Sequence, residues 1–293
     1  MEEKNTKNAR LIVAVVILGV LLLVCLVVIM LFLFGCFKPE QSAKETNQPG
    51  VEKIGTIHES DEDALTEADM MSKQQATDTF AEIDVELDVF DINIKRGDKY
   101  EVDYACPRQM EPEIQVKDNR LQVRGNGKYF TMNGNVRCEL TIMIPQEAKL
   151  GITHIADDTG NINLEQVISY TNDIRVDTGF IRMSGCESAS TTIHSDTGDM
   201  SMESNDLGVT DLSSDTGSIR VQASRFQDFK AATDTGDIQI EGMVNPQEQY
   251  KMTVDVEDGS IQVNGQDQGN HYVTSSGTYS FEVRSGSGVV NIQ

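Results

Sequence analysis

The sequence predicts an all-β fold: a parallel β-solenoid or β-roll of about seven coils, with an irregular N-terminal β cap, preceded by one transmembrane helix. Three observations carry this. Asp-Thr-Gly returns five times, placing Gly160, Gly179, Gly198, Gly217 and Gly236 at intervals of 19 residues, and two degenerate copies place Gly259 and Gly288 after 23 and 29 more. Two residues beyond each glycine stand Ile162, Ile181, Met200, Ile219, Ile238, Ile261 and Val290; four beyond stand Leu164, Met183, Met202, Val221, Ile240, Val263 and Ile292. Finally, residues 11–34 form an uncharged, almost wholly apolar run.

Apolar columns at period two, with polar residues between them, describe strands with one buried face. A third apolar column lies five residues before each glycine: Ile155, Ile174, Ile193, Leu212, Ala231, Val254 and Val283. Each unit therefore holds two strands joined at the Asp-Thr-Gly, which is expected to turn the chain through side-chain bonds to local backbone and a glycine at positive φ. A 19-residue unit cannot bury its own apolar face. Stacked at about 4.8 Å, successive units close a continuous core.

In chain order, residues 1–10 carry Lys4, Lys7 and Arg10 and are expected to be cytoplasmic, by the positive-inside rule. Residues 11–34 are long enough to cross a bilayer of about 30 Å. A lipobox reading of Leu33-Phe34-Gly35-Cys36, with Cys36 lipidated, is the alternative anchor, and Phe34 departs from its expected small residue. Residues 35–79 read as a flexible, acidic linker. Residues 80–150 read as the β cap, with a turn or bulge where the apolar phase shifts near Val89, and strands around Tyr104, Ile114, Leu121 and Leu140, the last stopped by Pro145. Residues 151–293 hold the solenoid repeats. Cys106 and Cys138 are either paired or buried thiols, and Cys186 falls in the core.

Composition limits function. With 24 basic and 47 acidic residues, a nucleic-acid partner is not expected, and with no tryptophan an aromatic sugar platform is not evident. Asp215-Thr216-Gly217-Ser218 matches an aspartic-protease tripeptide, but that chemistry needs two aspartates sharing a proton across a two-fold axis, and here five copies stack in a row. Asp158, Asp177, Asp196, Asp215 and Asp234, with Glu257 in register, form a row whose oxygens suit calcium, and they are the candidate metal residues. No cofactor is expected, and His58, His154, His194 and His271 are scattered. Uninterrupted 19-residue intervals leave no loops for a catalytic groove, so no enzyme is expected, a carbohydrate-active β-helix being the enzymatic alternative. The last strand, from Val289, ends without a capping segment; it is expected either to be covered by residues 265–277 or to serve self-association or partner pairing.

Asp88-Val89-Phe90-Asp91-Ile92-Asn93-Ile94 with Gly97-Asp98, then Asn119 to Val123, Leu140 to Pro145 and the repeated Asp-Thr-Gly-x-Ile, resembles the bacterial "putative adhesin" domain family over roughly residues 80–293. The resemblance implies a β-solenoid in the cell envelope and brings no catalytic residues. It leads to the expectation of a single-pass cell-membrane protein with an extracellular C-terminal domain that binds a polar ligand or envelope protein. Some family members are linked to envelope-stress responses, so the alternative is a sensor acting through a membrane partner.

Overall fold

The computed structural model describes residues 64–128 and 136–293; the predicted membrane span, residues 11–34, and most of the linker lie outside them. Among the described residues no helix is long and apolar enough to cross a membrane. The protein is all-β, with a large and mostly parallel sheet.

The repeat builds layers as its apolar columns require. Parallel ladders join Ile155 to Ile174, Ile174 to Ile193, Ile193 to Leu212 and Leu212 to Ala231. The shorter second strands match: Ile162, Ile181, Met200, Ile219 and Ile238 face one another in turn. All 21 residues of the three columns are buried.

Two features depart from the expected coil count and order. Residues 80–150 are more than a cap: Val85 pairs with Ile155 and Ile92 with Ile162, so Glu82–Leu87 and Phe90–Gly97 form a layer under the first repeat. The phase shift at Val89 is the corner between these strands. Beneath lies another layer, Arg120–Arg124 and Cys138–Pro145, in parallel register through Val123 and Leu140. At the other end, Ala231 pairs with Val283, and Val283 with Val254. The last strand, Tyr279–Ile292, is thus inserted between the fifth and sixth repeats. Among the described residues the stack has nine layers, in the order 120–124 with 138–145, 82–97, 150–165, 168–184, 187–203, 206–222, 229–241, 279–292, 250–263.

This corrects the expectation of an open C-terminal strand. Tyr279–Ile292 is hydrogen-bonded on both sides, so it offers no edge for self-association. The outermost strand is Tyr250–Val263, and the 265–277 segment covers that one instead, through antiparallel pairing of Val254 with Tyr272 and of Val263 with Gln266. The opposite end is finished by antiparallel strands: Glu101–Pro107 on Cys138–Pro145, Met70–Ala76 on Glu101–Pro107, and Glu113–Lys117 on Arg120–Arg124. Residues 70–76, read as linker, are therefore an edge strand; Ser72, Lys73 and Gln74 are exposed, which is why the segment lacks an apolar signature.

Asp-Thr-Gly differs in mechanism from the expected turn. The strand runs on through Asp and Thr, as in Leu150–Thr159, and the glycine and the residue after it make the corner before Ile162–Glu165. The residue after the corner position supplies the cross-layer bond: Asp91, after Phe90, accepts from the Asn161 amide at 2.9 Å, and, after the glycines, Asn161 accepts from Phe180 at 3.0 Å, Asp199 from Ser218 at 2.7 Å and Asp237 from Val289 at 2.8 Å. A second corner repeats at Gln166, Gly185, Ser204, Ala223 and Gly242, all with φ between 46° and 62°. Its mixed residue types hid it in the sequence. Ala223 (φ 46°) is exposed, so Ala223→Gly is expected to stabilise the protein by about 0.5–1 kcal/mol, seen as a rise in Tm of about 1–4 °C in a calorimetric scan.

Candidate functional site

The outward residues of the long strands form straight rows across the layers, because parallel pairing in constant register puts like positions side by side. One row reads Asp84, His154, Asp173, Thr192, Asp211, Lys230, Glu282 and Thr253. The next reads Glu86, Ala156, Arg175, His194, Ser213, Ala232, Arg284 and Asp255. At the corner lie the five candidate aspartates, Asp158, Asp177, Asp196, Asp215 and Asp234, all exposed, and then Gly286 before Glu257. The inserted layer therefore interrupts the carboxylate row.

Asp234, Asp255, Glu257 and Arg284 surround that interruption, in an open cleft of about 570 Å³ floored by Gly286. A side chain at 286 has no room, since a Cβ there would lie 2.6 Å from the Asp234 carbonyl oxygen. On the second-strand face, Phe180, Asn163, Glu165 and Arg182 line another shallow depression.

The structure brings together residues that looked scattered. His154 lies beside Asp84 and Glu86, and one ligand atom from each falls within 4.8 Å of the others; among the described residues this is where three histidine, cysteine or carboxylate ligands gather. The five candidate aspartates do not gather in this way: they are spread one per layer. His154 Nδ1 also lies 3.2 Å from Asp173 Oδ2. Farther along the face, His194 Nδ1 lies 2.9 Å from Ser213 Oγ and Nε2 lies 3.1 Å from Asp196 Oδ1. That order imitates a serine-hydrolase triad, but acyl transfer also needs free backbone amides to hold an oxyanion, and here the flanking strands pair into the ladder. His194 is a surface hydrogen-bonding residue in this arrangement.

The most perturbed carboxyl is Asp157, directly before the first Asp-Thr-Gly. It is 3% exposed; Oδ1 accepts from the Phe90 amide at 3.3 Å, and Oδ2 has no hydrogen-bond partner. Burial, reinforced by Asp158, Asp88 and Asp91, pushes it up to about 7. In later layers the same column holds Ser214, Thr233 and Ser285, whose hydroxyls donate to the carbonyls of Gly198, Gly217 and Gly236 in the layer below. Sequence reasoning missed Asp157 because it reads as part of an acidic turn.

Cys106, Cys138 and Cys186 are free, buried thiols. Burial pushes Cys106 and Cys186 up to about 11 and Cys138 to about 12. Reactivity follows the thiolate, so none of the three is expected to take up iodoacetamide at pH 8 until the protein is unfolded, as peptide mapping by mass spectrometry would show.

A family model described as Toastrack DUF4097 matches residues 80–293. Among solved structures, a protein called a "putative adhesin" from Bacteroides fragilis is 16% identical with a TM-score of 0.50, over 76% of this chain and 97% of that one. A "putative cell adhesion protein" from Clostridium sporogenes is 16% identical with a TM-score of 0.36, over 76% and 97%. A "putative lipid binding protein" from Parabacteroides distasonis is 11% identical with a TM-score of 0.39, over 78% and 98%. No curated protein matches the sequence.

Proposed function

The chain belongs to the Toastrack DUF4097 family, and we propose that it is a surface protein, held in the cell membrane by residues 11–34 with its N-terminus cytoplasmic, that works by presenting its layered β-domain outside the cell to a polar ligand or envelope protein. The observation that carries this reading is the outward face of the stack. Its rows of Asp, Thr, Ser, Arg and His are solvated, regular and rigidly spaced, a surface suited to repeated hydrogen bonding with a glycan or a protein. The role is binding rather than catalysis: the triad-like group lies on an open sheet face, and the clefts are shallow.

The name adhesin belongs to the solved relatives, and it supports the same reading only through shared fold. A second reading, envelope-stress sensing, has one observation in its favour. Asp157 is buried, and burial pushes it up to about 7, so a change of acidity around neutral pH would change its charge inside the stack. Two experiments test the main proposal. Protease added to intact cells should remove residues 64–293 if the domain is external, and protection of that domain would sink the topology. A glycan and envelope-protein array probed with the full-length chain should give a saturable ligand whose binding falls on substitution of outward residues such as Arg175 or Asp211; binding to no member of either array would count against presentation.

A further inference from the structure

We propose that Asp84, Glu86 and His154 form a binding site for a zinc-class divalent cation on the outward face of the domain. Asp84 and Glu86 are two residues apart on one strand and so project from the same face, while His154 stands directly opposite Asp84 on the neighbouring strand. Their ligand atoms already lie within 4.8 Å of one another. Opposite Glu86 stands Ala156, whose small side chain leaves space on the face for an ion.

The donor set is one imidazole nitrogen and two carboxylates, chemistry that suits zinc and its neighbours better than calcium, which takes oxygen ligands alone. Asp173 completes the arrangement from the next strand. Its Oδ2 lies 3.2 Å from His154 Nδ1; in the tautomer with the proton on Nδ1 it accepts that proton, and Nε2 is then the nitrogen that would bind the ion, the carboxylate–imidazole support common behind metal-bound histidine. All four residues sit on paired strands, so the donors need little ordering on binding.

The site has a resident competitor. Arg124 Nη2 lies 2.6 Å from Asp84 Oδ2, and Arg124 Nε lies 3.4 Å from Glu86 Oε2. A divalent cation therefore exchanges for a guanidinium between the same two carboxylates, which gives the site a signature that an adventitious surface histidine lacks.

The test is titration calorimetry of zinc chloride into the untagged, full-length protein in detergent, with calcium chloride in parallel. One zinc per chain assigned to this site is expected, with calcium at least about ten-fold weaker. His154→Ala and Asp84→Asn should each weaken that event by at least about ten-fold, and Asp173→Asn by a similar factor. Arg124→Gln should tighten it by about ten-fold, since it removes a positive charge from the ligands. His194→Ala should leave it unchanged. Thermal midpoints without metal establish that each variant is folded. Zinc binding that survives His154→Ala, that is absent altogether, or that weakens in Arg124→Gln overturns the site. Because the readout is metal affinity, it is independent of whether the domain is external or binds any ligand.

Discussion

Gly198→Ala is expected to destabilise the protein by roughly 3–5 kcal/mol, a large share of the 5–15 kcal/mol typical of whole domains. Two costs add. Gly198 has φ +155°, a region that side chains rarely adopt, and a Cβ there would lie 1.8 Å from the Gly179 carbonyl oxygen. That oxygen belongs to backbone in the adjoining layer and has nowhere to go. Gly160→Ala isolates the second cost: its φ is ordinary for other residues, yet its Cβ would lie 2.0 Å from the Phe90 carbonyl oxygen. Gly127→Ala is the control, with positive φ and nothing within 4 Å; it should cost only about 1 kcal/mol. Urea unfolding checks the series, and equal midpoints for Gly198→Ala and Gly127→Ala would show that the layers are not closely apposed at these corners.

Asp157→Asn is expected to stabilise the protein at pH 8 and to do little at pH 3.5. The folded carboxyl titrates at about 7, whereas an unfolded aspartate titrates near 3.9. Because the folded pKa is the higher one, the folded state holds an extra proton between these values. Stability from this group is fully present below about pH 4, falls as pH rises, and is flat above about 7. The total is on the order of 4 kcal/mol. The variant keeps an oxygen for the Phe90 amide and never ionises, so its advantage over the natural protein should grow from pH 4 to pH 7. Paired unfolding curves at several pH values measure this, and a constant offset would show that Asp157 does not carry the titration.

Much of the fold was legible because 19-residue periodicity is a local signal: the columns led by Ile155, Ile162 and Leu164 each gave a buried face, and the structure buries every member. The glycines were legible as corners, although the reason proved to be close approach between layers more than turn chemistry. Layer order was not legible. Ala231 pairs with Val283 across more than fifty residues, and nothing in the apolar columns themselves marks which layer neighbours which. The candidate site was hidden for a related reason. Asp84 and His154 lie 70 residues apart and meet only because residues 82–97 stack under the first repeat.

That swapped order also has a consequence for assembly. A chain leaving the ribosome presents residues 229–241 and then 250–263, but the second cannot dock on the first, because its place in the stack is next to residues 279–292. Sequential accretion, one rung upon the last, must therefore pause at Thr235 and Ile240 until residues 279–292 have emerged. The closing step is then a single event in which residues 279–292 slot home and bring residues 250–263 with them, so that a late-made segment locks an earlier one.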